Sequence, residues 1–382
     1  MAVGIYPGVT GVVSHQPIPF EDSKPDVATM APAPVAVVED ISLIRLQMAD
    51  PMEEAKLLQA GTGCGVFHLN LLDAEGRPGR LLAASEAIYD LAEELFSLEE
   101  EQKLAYDVDH IGGARKLNGY KPVGRNHGGN GNRDGFESYA ISKDTMLGLN
   151  GPGAATAQHP AVVARHAEAL REFTSAVNEA TTAILHSFSR TLGLAGGAET
   201  LAQRHRAEVP SSDMLRLLKY HAQQAGERGA PQSPHTDLGS LTVLFSKQPG
   251  LQIKREEEDE GEEDEGGDGW RFVNPSPGRA VVNLGDAMAL LSNGRLRSCL
   301  HRVVPLPGRP MATRYSFAYM RRPEDDTPMV GLKGELVPES ASFGPRADVM
   351  TAGQWLLRKF GALRFDSHEP DEGWVLTSHT AQ

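Results

Sequence analysis

His235, Asp237 and His301 are the side chains whose types and spacing could hold a metal ion. The first two stand two residues apart in Pro234-His235-Thr236-Asp237-Leu238-Gly239-Ser240-Leu241-Thr242, directly ahead of the β-prone stretch Leu241 to Phe245. Alternate residues of an extended strand point to one face, so an imidazole and a carboxylate at i and i+2 can reach one ion together. A second imidazole comes from Leu300-His301-Arg302-Val303, again in a β-like run. Two imidazoles and a carboxylate occupy one face of an octahedron and leave the other positions open, a donor set suited to iron(II). His-x-Asp by itself is a weak signal in a chain with 13 histidines, where a surface loop explains it equally well.

The context strengthens it. Thirteen residues after His301, Arg314-Tyr315-Ser316 repeats the i, i+2 spacing at the head of the apolar run Phe317-Ala318-Tyr319-Met320. Arginine offers planar bidentate donors and stays charged, so with a hydroxyl on the same face it makes a fork for a carboxylate. A metal site beside a carboxylate clamp points to a keto-acid co-substrate.

With these residues in place, the chain resembles the iron(II)/2-oxoglutarate-dependent dioxygenases, in particular their isopenicillin N synthase-like branch. The resemblance is carried by Gly250-Leu251-Gln252-Ile253, Trp270, Pro277-Gly278, Val282-Asn283-Leu284-Gly285-Asp286, Leu291-Ser292-Asn293-Gly294, Ser298 and His301-Arg302-Val303, which stand in the family's order. Weaker matches lie nearer the front, in Gly65-Val66-Phe67-His68-Leu69, Glu99-Glu100-Glu101-Gln102-Lys103 and Asn118-Gly119-Tyr120. The resemblance implies that His235, Asp237 and His301 bind Fe(II). It also implies that Arg314 and Ser316 hold the distal carboxylate of 2-oxoglutarate, and that Tyr220 hydrogen-bonds the same co-substrate. Two features depart from the family's pattern: Leu218 replaces the usual Asn two residues before the tyrosine, and the interval from His301 to Arg314 is longer, with Pro305, Pro307 and Pro310 in it. The implied activity consumes dioxygen and 2-oxoglutarate and oxidises an unactivated C–H bond of a small molecule in specialised metabolism, by hydroxylation, desaturation or oxidative cyclisation.

Strand alternation extends the reading to the substrate. Arg216 shares a face with Tyr220, while Met320 and Arg322 share one with Arg314 and Ser316, so all three could line the cavity. Arg216 or Arg322 would then meet an acidic or carbonyl group of the substrate; the alternative places both arginines beyond the barrel rim, paired with surface carboxylates.

The elements that must position these residues are short. Strands are expected near Met214 to Tyr220, Leu241 to Phe245, Leu251 to Lys254, Arg271 to Val273, Ala280 to Asn283, Leu300 to Val304 and Tyr315 to Met320. Many short strands after a helical half suggest an α+β fold, a double-stranded β-helix (jelly-roll) barrel flanked by helices. Apolar periodicity gives a helix over Leu81 to Phe96 and a long amphipathic one from Pro160 to Leu194, with a last helix over Ala352 to Phe360. The stretch Val108 to Gly153, rich in Gly and Asn, reads as a long loop region that could fold over the barrel mouth. The expected divisions are a flexible arm over 1–35, a helix-rich part over 36–205, the jelly-roll core over 206–330 and a C-terminal helix and tail over 331–382.

Composition excludes several classes. The net charge of −14 is concentrated in Glu256 to Asp268, which holds ten acidic residues, so the remainder sits near −4. Residues 255–269 have no apolar side chain and read as a solvated loop inserted between strands. No basic stripe offers itself to phosphates, and nucleic acid is not expected as a partner. Cys64 and Cys299 make no disulfide framework, no secretory signal is evident, and no run approaches the apolar length of a membrane span, so a cytoplasmic location is expected. The chain has no Gly-x-Ser-x-Gly elbow, no His-Glu-x-x-His and no phosphate loop, and Gly61-Thr62-Gly63-Cys64-Gly65 precedes the strand that a dinucleotide loop would have to follow.

Two rival functions remain at this level. An iron oxidase like isopenicillin N synthase would use Arg314 and Ser316 to grip a substrate carboxylate and would need no 2-oxoglutarate. A non-catalytic jelly-roll binding protein would use the acidic loop as its contact. Turnover with substrate separates the enzymes: succinate should form in step with product, and product without succinate would select the oxidase.

Overall fold

The strands expected in the second half all form, and others join them, most from the first half. The protein is described from a computed structural model over residues 33–125, 133–149, 159–223, 232–255, 268–339 and 349–364. In chain order the elements are β1 (Asp40–Ser42), α1 (Leu43–Gln47), α2 (Pro51–Thr62), β2 (Val66–Asn70), α3 (Arg80–Phe96), α4 (Glu100–Leu104), α5 (Val108–Ile111), β3 (Gly119–Lys121), β4 (Phe136–Ser142), α6 (Lys143–Leu147), α7 (Ala161–Arg165) and α8 (Ala167–Thr191). They continue with α9 (Glu199–Ala202), β5 (Met214–Tyr220), β6 (Gln232–His235), β7 (Leu241–Ser246), β8 (Leu251–Lys254), β9 (Trp270–Phe272), β10 (Arg279–Leu284), α10 (Asp286–Leu291), β11 (His301–Val303), β12 (Arg314–Arg321) and α11 (Ala352–Arg364).

Two sheets result, an eight-stranded one in the order β1-β2-β10-β7-β12-β5-β4-β3 and a four-stranded one in the order β6-β11-β8-β9. From β5 onward the chain passes repeatedly between them, which is the jelly-roll winding. Phe136, Leu218 and Tyr220 of the large sheet pack on Val303 of the small one. Leu244, Val66 and Val281 do the same against Leu251 and Ile253. The other face of the large sheet is covered by α3 and α8, with Phe317 lying 4.8 Å from the Tyr89 ring and 5.5 Å from Phe173. Alternation along β12 therefore separates two jobs: Tyr315, Phe317 and Tyr319 join the core under the helices, while Arg314, Ser316, Ala318 and Met320 face the small sheet.

Three expectations need correction or a boundary. The region Val108 to Gly153 is not one long loop, since it contains α5, β3, β4 and α6. All seven residues of β4 are buried, so the strand lacks the polar alternation that marks a half-covered one. The long helix is interrupted at His166, which ends α7 and begins α8 with φ −92° and ψ 12°; the apolar stripe runs on through the break. Of the expected arm, residues 1–32 lie outside the described set, as do 256–267 of the acidic loop, the Asn126 to Gly131 tract and residues 365–382 of the tail. Pro34 accepts a hydrogen bond from the Phe272 N–H at 2.9 Å.

The turn between β6 and β7, which carries Asp237, is clamped by the start of α10. The Asp286 N–H donates to the Asp237 carbonyl at 2.8 Å, and the Ala287 N–H to the Gly239 carbonyl at 3.1 Å. Contact this close requires glycine at 285, where a Cβ would lie 2.3 Å from the Gly239 oxygen and 2.5 Å from the Asp237 oxygen. Gly285→Ala should force the turn apart, lowering stability by about 1–3 kcal/mol in urea unfolding and weakening iron binding; wild-type iron affinity in a correctly folded variant would refute the clamp.

Candidate metal centre and co-substrate clamp

The small sheet supplies both imidazoles, and the crossing to the large sheet supplies the carboxylate. His301 at the start of β11 pairs with His235 at the end of β6, and their rings lie 4.3 Å apart. Directly opposed residues of an antiparallel pair share a face. Asp237 follows two residues later, and one ligand atom from each of the three lies within 4.8 Å of the others.

Further hydrogen bonds aim the donor atoms. His235 Nδ1 donates to the Ser233 carbonyl at 2.9 Å and His301 Nδ1 to the Cys299 carbonyl at 3.0 Å. A carbonyl can only accept, so each ring keeps its proton on Nδ1 and presents the lone pair of Nε2. Asp237 Oδ2 accepts from Thr242 Oγ1 at 2.6 Å and Asn283 Nδ2 at 2.9 Å. Its Oδ1 stays 3.9 Å from His235 Nε2. Thr242 and Asn283 oppose each other on β7 and β10, so the large sheet fixes the carboxylate while the small sheet fixes the imidazoles.

The electrostatics agree with that division. Burial, then the neighbouring His301, hold the His235 imidazole below its ordinary pKa, against a weaker upward pull from Asp237. Its Nε2 therefore carries no proton at neutral pH. Burial alone would raise the Asp237 carboxyl; the two imidazoles and the two hydrogen bonds outweigh it and hold the group below the usual carboxylate range. A buried carboxylate beside two imidazole nitrogens fits a hard to borderline divalent cation.

Arg314 opens β12 opposite Tyr220 of β5. It is buried, with its guanidinium 4.9 Å from the Tyr220 ring centre. Nη1 donates to Ser316 Oγ at 3.2 Å and Nε to the Gln248 carbonyl at 3.3 Å. Among the described residues no carboxylate pairs with it. A buried guanidinium without a counter-charge is costly unless an anion joins it. Leu218, at the position of the family's Asn, opposes Ser316 and packs beside Tyr220.

Tyr220 does not point its hydroxyl into open space. It donates to Gln232 Oε1 at 2.8 Å, and Gln232 Nε2 lies 3.2 Å from His235 Nε2. Burial pushes the phenol up to about 12, so it remains a donor. Gln232 was not anticipated, because three residues separate it from His235 and a regular strand would turn the two to opposite faces. A register shift between β6 and β11 changes the parity. Thr242 was missed as well, and Asn283 was noted only as part of a motif; their hydrogen bonds to Asp237 depend on strand pairing that no local spacing reveals.

Arg216 opposes Ala318 on one side and Ala140 on the other. Met320 opposes Thr242. Arg322, just past β12, is buried, donates from Nη1 to the Ser212 carbonyl and from Nη2 to Met320 Sδ at 3.7 Å, and its backbone N–H donates to Asp213 Oδ1 at 2.7 Å. Among the described residues neither arginine pairs with a surface carboxylate. Likewise none of their helices is long and apolar enough to cross a membrane.

The chain is similar to known proteins over most of its length. Residues 211–323 match the 2OG-Fe(II) oxygenase superfamily. The chain is 30% identical over 342 residues to the 2-oxoglutarate-dependent dioxygenase gloE of Glarea lozoyensis, covering 89% of this chain and 92% of that relative. It is 32% identical to frbH of Dothideomycetidae sp., a protein of the same description, over 82% and 90% of the two chains. In fold it is similar to the crystal structure of a 2OG-Fe(II) oxygenase family protein of Caulobacter crescentus, with a TM-score of 0.66 at 20% identity, covering 86% and 100%. Identity to gloE and frbH at this level across nearly whole chains favours use of 2-oxoglutarate over the oxidase alternative. The protein therefore belongs to the 2OG-Fe(II) oxygenase superfamily, and is an iron(II)- and 2-oxoglutarate-dependent dioxygenase.

Proposed function

We propose that His235, Asp237 and His301 hold the iron(II), that Arg314 and Ser316 hold the distal carboxylate of 2-oxoglutarate with Tyr220 beside them, and that Arg216, Met320 and Arg322 face the substrate, a small molecule of specialised metabolism. The observation that carries the reading is the pairing of His235 with His301 around a carboxylate whose other oxygen is already engaged. The setting in specialised metabolism follows from the resemblance to the isopenicillin N synthase-like branch.

When bound, iron(II) couples oxidative decarboxylation of 2-oxoglutarate by dioxygen to oxidation of a substrate C–H bond. The chain's own contribution is orientation and exclusion of water. The Nδ1–carbonyl hydrogen bonds keep both Nε2 lone pairs turned inward. Arg314 offers its remaining N–H donors to a carboxylate, with the Ser316 hydroxyl next to it. Phe136, Leu218 and Val303 pack around Tyr220 and keep that end of the cavity apolar. A low-dielectric surrounding strengthens the charge pairing of guanidinium and co-substrate.

Removal of a single ligand should separate metal binding from folding. His235→Ala, Asp237→Ala and His301→Ala should each abolish stoichiometric iron(II) binding in equilibrium dialysis while the far-ultraviolet spectrum stays that of the wild type. Full iron binding by any of the three would remove that residue from the site.

Arg314→Met should raise the 2-oxoglutarate concentration needed for half-maximal charge-transfer absorption at least tenfold, consistent with loss of a charge-assisted bidentate contact. Iron binding should be unchanged, and an unaltered 2-oxoglutarate dependence would place the clamp elsewhere.

A further inference from the structure

We propose that the substrate carries an anionic group, a carboxylate being the simplest, and that Arg216 together with Arg322 receives it. This rests on the site assignment above and adds to it the charge of the substrate.

One row of side chains on the large sheet faces the small sheet. Along β5 these are Tyr220, Leu218, Arg216 and Met214, so Arg216 stands about 13 Å from Tyr220 along the strand, at the end of the row away from the co-substrate clamp. Its two cross-strand neighbours are alanines, Ala318 and Ala140. Neither sets a bulky side chain directly across from it. Met320, in the same layer as Thr242, connects this end to the metal centre, because the Thr242 hydroxyl holds Asp237.

Arg216 spends none of its five N–H donors on a described residue. The neighbouring arginine is also incompletely bonded: Arg322 is only 5% exposed, and its Nε is buried without a hydrogen-bond partner. Arg216 is half-buried, so its spare donors stay open to a ligand, while a buried nitrogen without an acceptor, as at Arg322 Nε, is costly.

Charge points the same way. Among the described residues, the ionisable groups that interact electrostatically with Arg216 include Asp237, Tyr220, His235, Lys121 and Arg322. Asp237 is the one carboxylate among them, and it is committed to the iron. Lys121 is already matched by Asp134 at 2.6 Å. Arg322 shares Asp213 with Arg321, whose Nε lies 3.8 Å from that carboxylate. With iron(II) and 2-oxoglutarate in place, the co-substrate's two carboxylates are answered by the metal and by Arg314. Among the described residues, the arginines at the far end are left with less negative charge than positive. Burial lowers the pKa of both, Arg322 to about 10, and both stay charged at neutral pH.

A neutral substrate would leave these charges desolvated, whereas a carboxylate offers a planar acceptor that matches the guanidinium fork. The opposing possibility is that Arg216 serves only to hold Asp237 electrostatically, and that Arg322 is a structural group tied to Ser212.

The test uses the anaerobic enzyme loaded with iron(II) and 2-oxoglutarate, with the charge-transfer absorption as readout. Matched carboxylates and amides are titrated into it: benzoate against benzamide, hexanoate against hexanamide, 2-naphthoate against 2-naphthamide. At least one carboxylate should shift the band at a concentration tenfold or more below its amide. Arg216→Met should remove that preference without altering the band in the absence of additive, and Arg216→Lys should restore part of it. Arg322→Met should weaken carboxylate binding in the same direction.

Amides binding as well as acids, no carboxylate binding at all, or a preference that survives Arg216→Met would overturn the proposal. So would loss of the band on adding acid, which would show displacement of 2-oxoglutarate from Arg314. Loss of iron affinity in Arg216→Met would assign the residue to holding Asp237. Failure of the wild-type enzyme to form the band before any addition is a different result; it would refute the metal and co-substrate assignment, and this inference with it.

Discussion

The antiparallel pairing of His235 with His301 is the contact on which the rest of the site depends. It joins two segments far apart in sequence and sets their Nε2 atoms toward one point. Asp237 can join them only because the chain leaves the small sheet immediately after His235 and is then held by Thr242 and Asn283 of the large sheet. The donor set thus spans both sheets of the barrel. Anything that slides one sheet against the other separates the carboxylate from the imidazoles, which explains the tight backbone contact at Gly285 just behind the turn.

The buried arginines show how one strand can serve two purposes. Arg321 faces the helices and is bonded to Asn178, Thr181 and the His205 carbonyl, so it ties β12 to α8. Arg314, seven residues earlier on the opposite face, has a hydroxyl and one carbonyl for partners. Arg321 spends its terminal nitrogens on the fold and leaves Nε without a hydrogen bond, 3.8 Å from Asp213, whereas Arg314 keeps spare donors beside the Ser316 hydroxyl, where an anion could join it. Arg216 lies on the same inward face as Arg314 and has fewer partners still among the described residues.

Much of the barrel was legible because its strands are short and apolar. β5, with Met214 to Tyr220 as its limits, was visible at full length. β4 was not, since all its residues are buried and a tract rich in Gly and Asn runs up to it. The break at His166 was equally hidden, because apolar periodicity continues across it. Gln232 defied the parity rule itself: a shift in register turns it to the same side as His235, and it then bridges Tyr220 to that imidazole. Local spacing describes regular strands, and a bulge is decided by the partner strand.

By itself the sequence determined which groups could do the chemistry, because i, i+2 spacing on a strand is a local property. His235 with Asp237 and Arg314 with Ser316 were readable for that reason. Tertiary structure alone decided that His301 would stand opposite His235, which oxygen of Asp237 would stay free, and which arginines would keep donors unspent on the described residues. Those outcomes depend on register and on the approach of distant strands, and no window of neighbouring residues contains them.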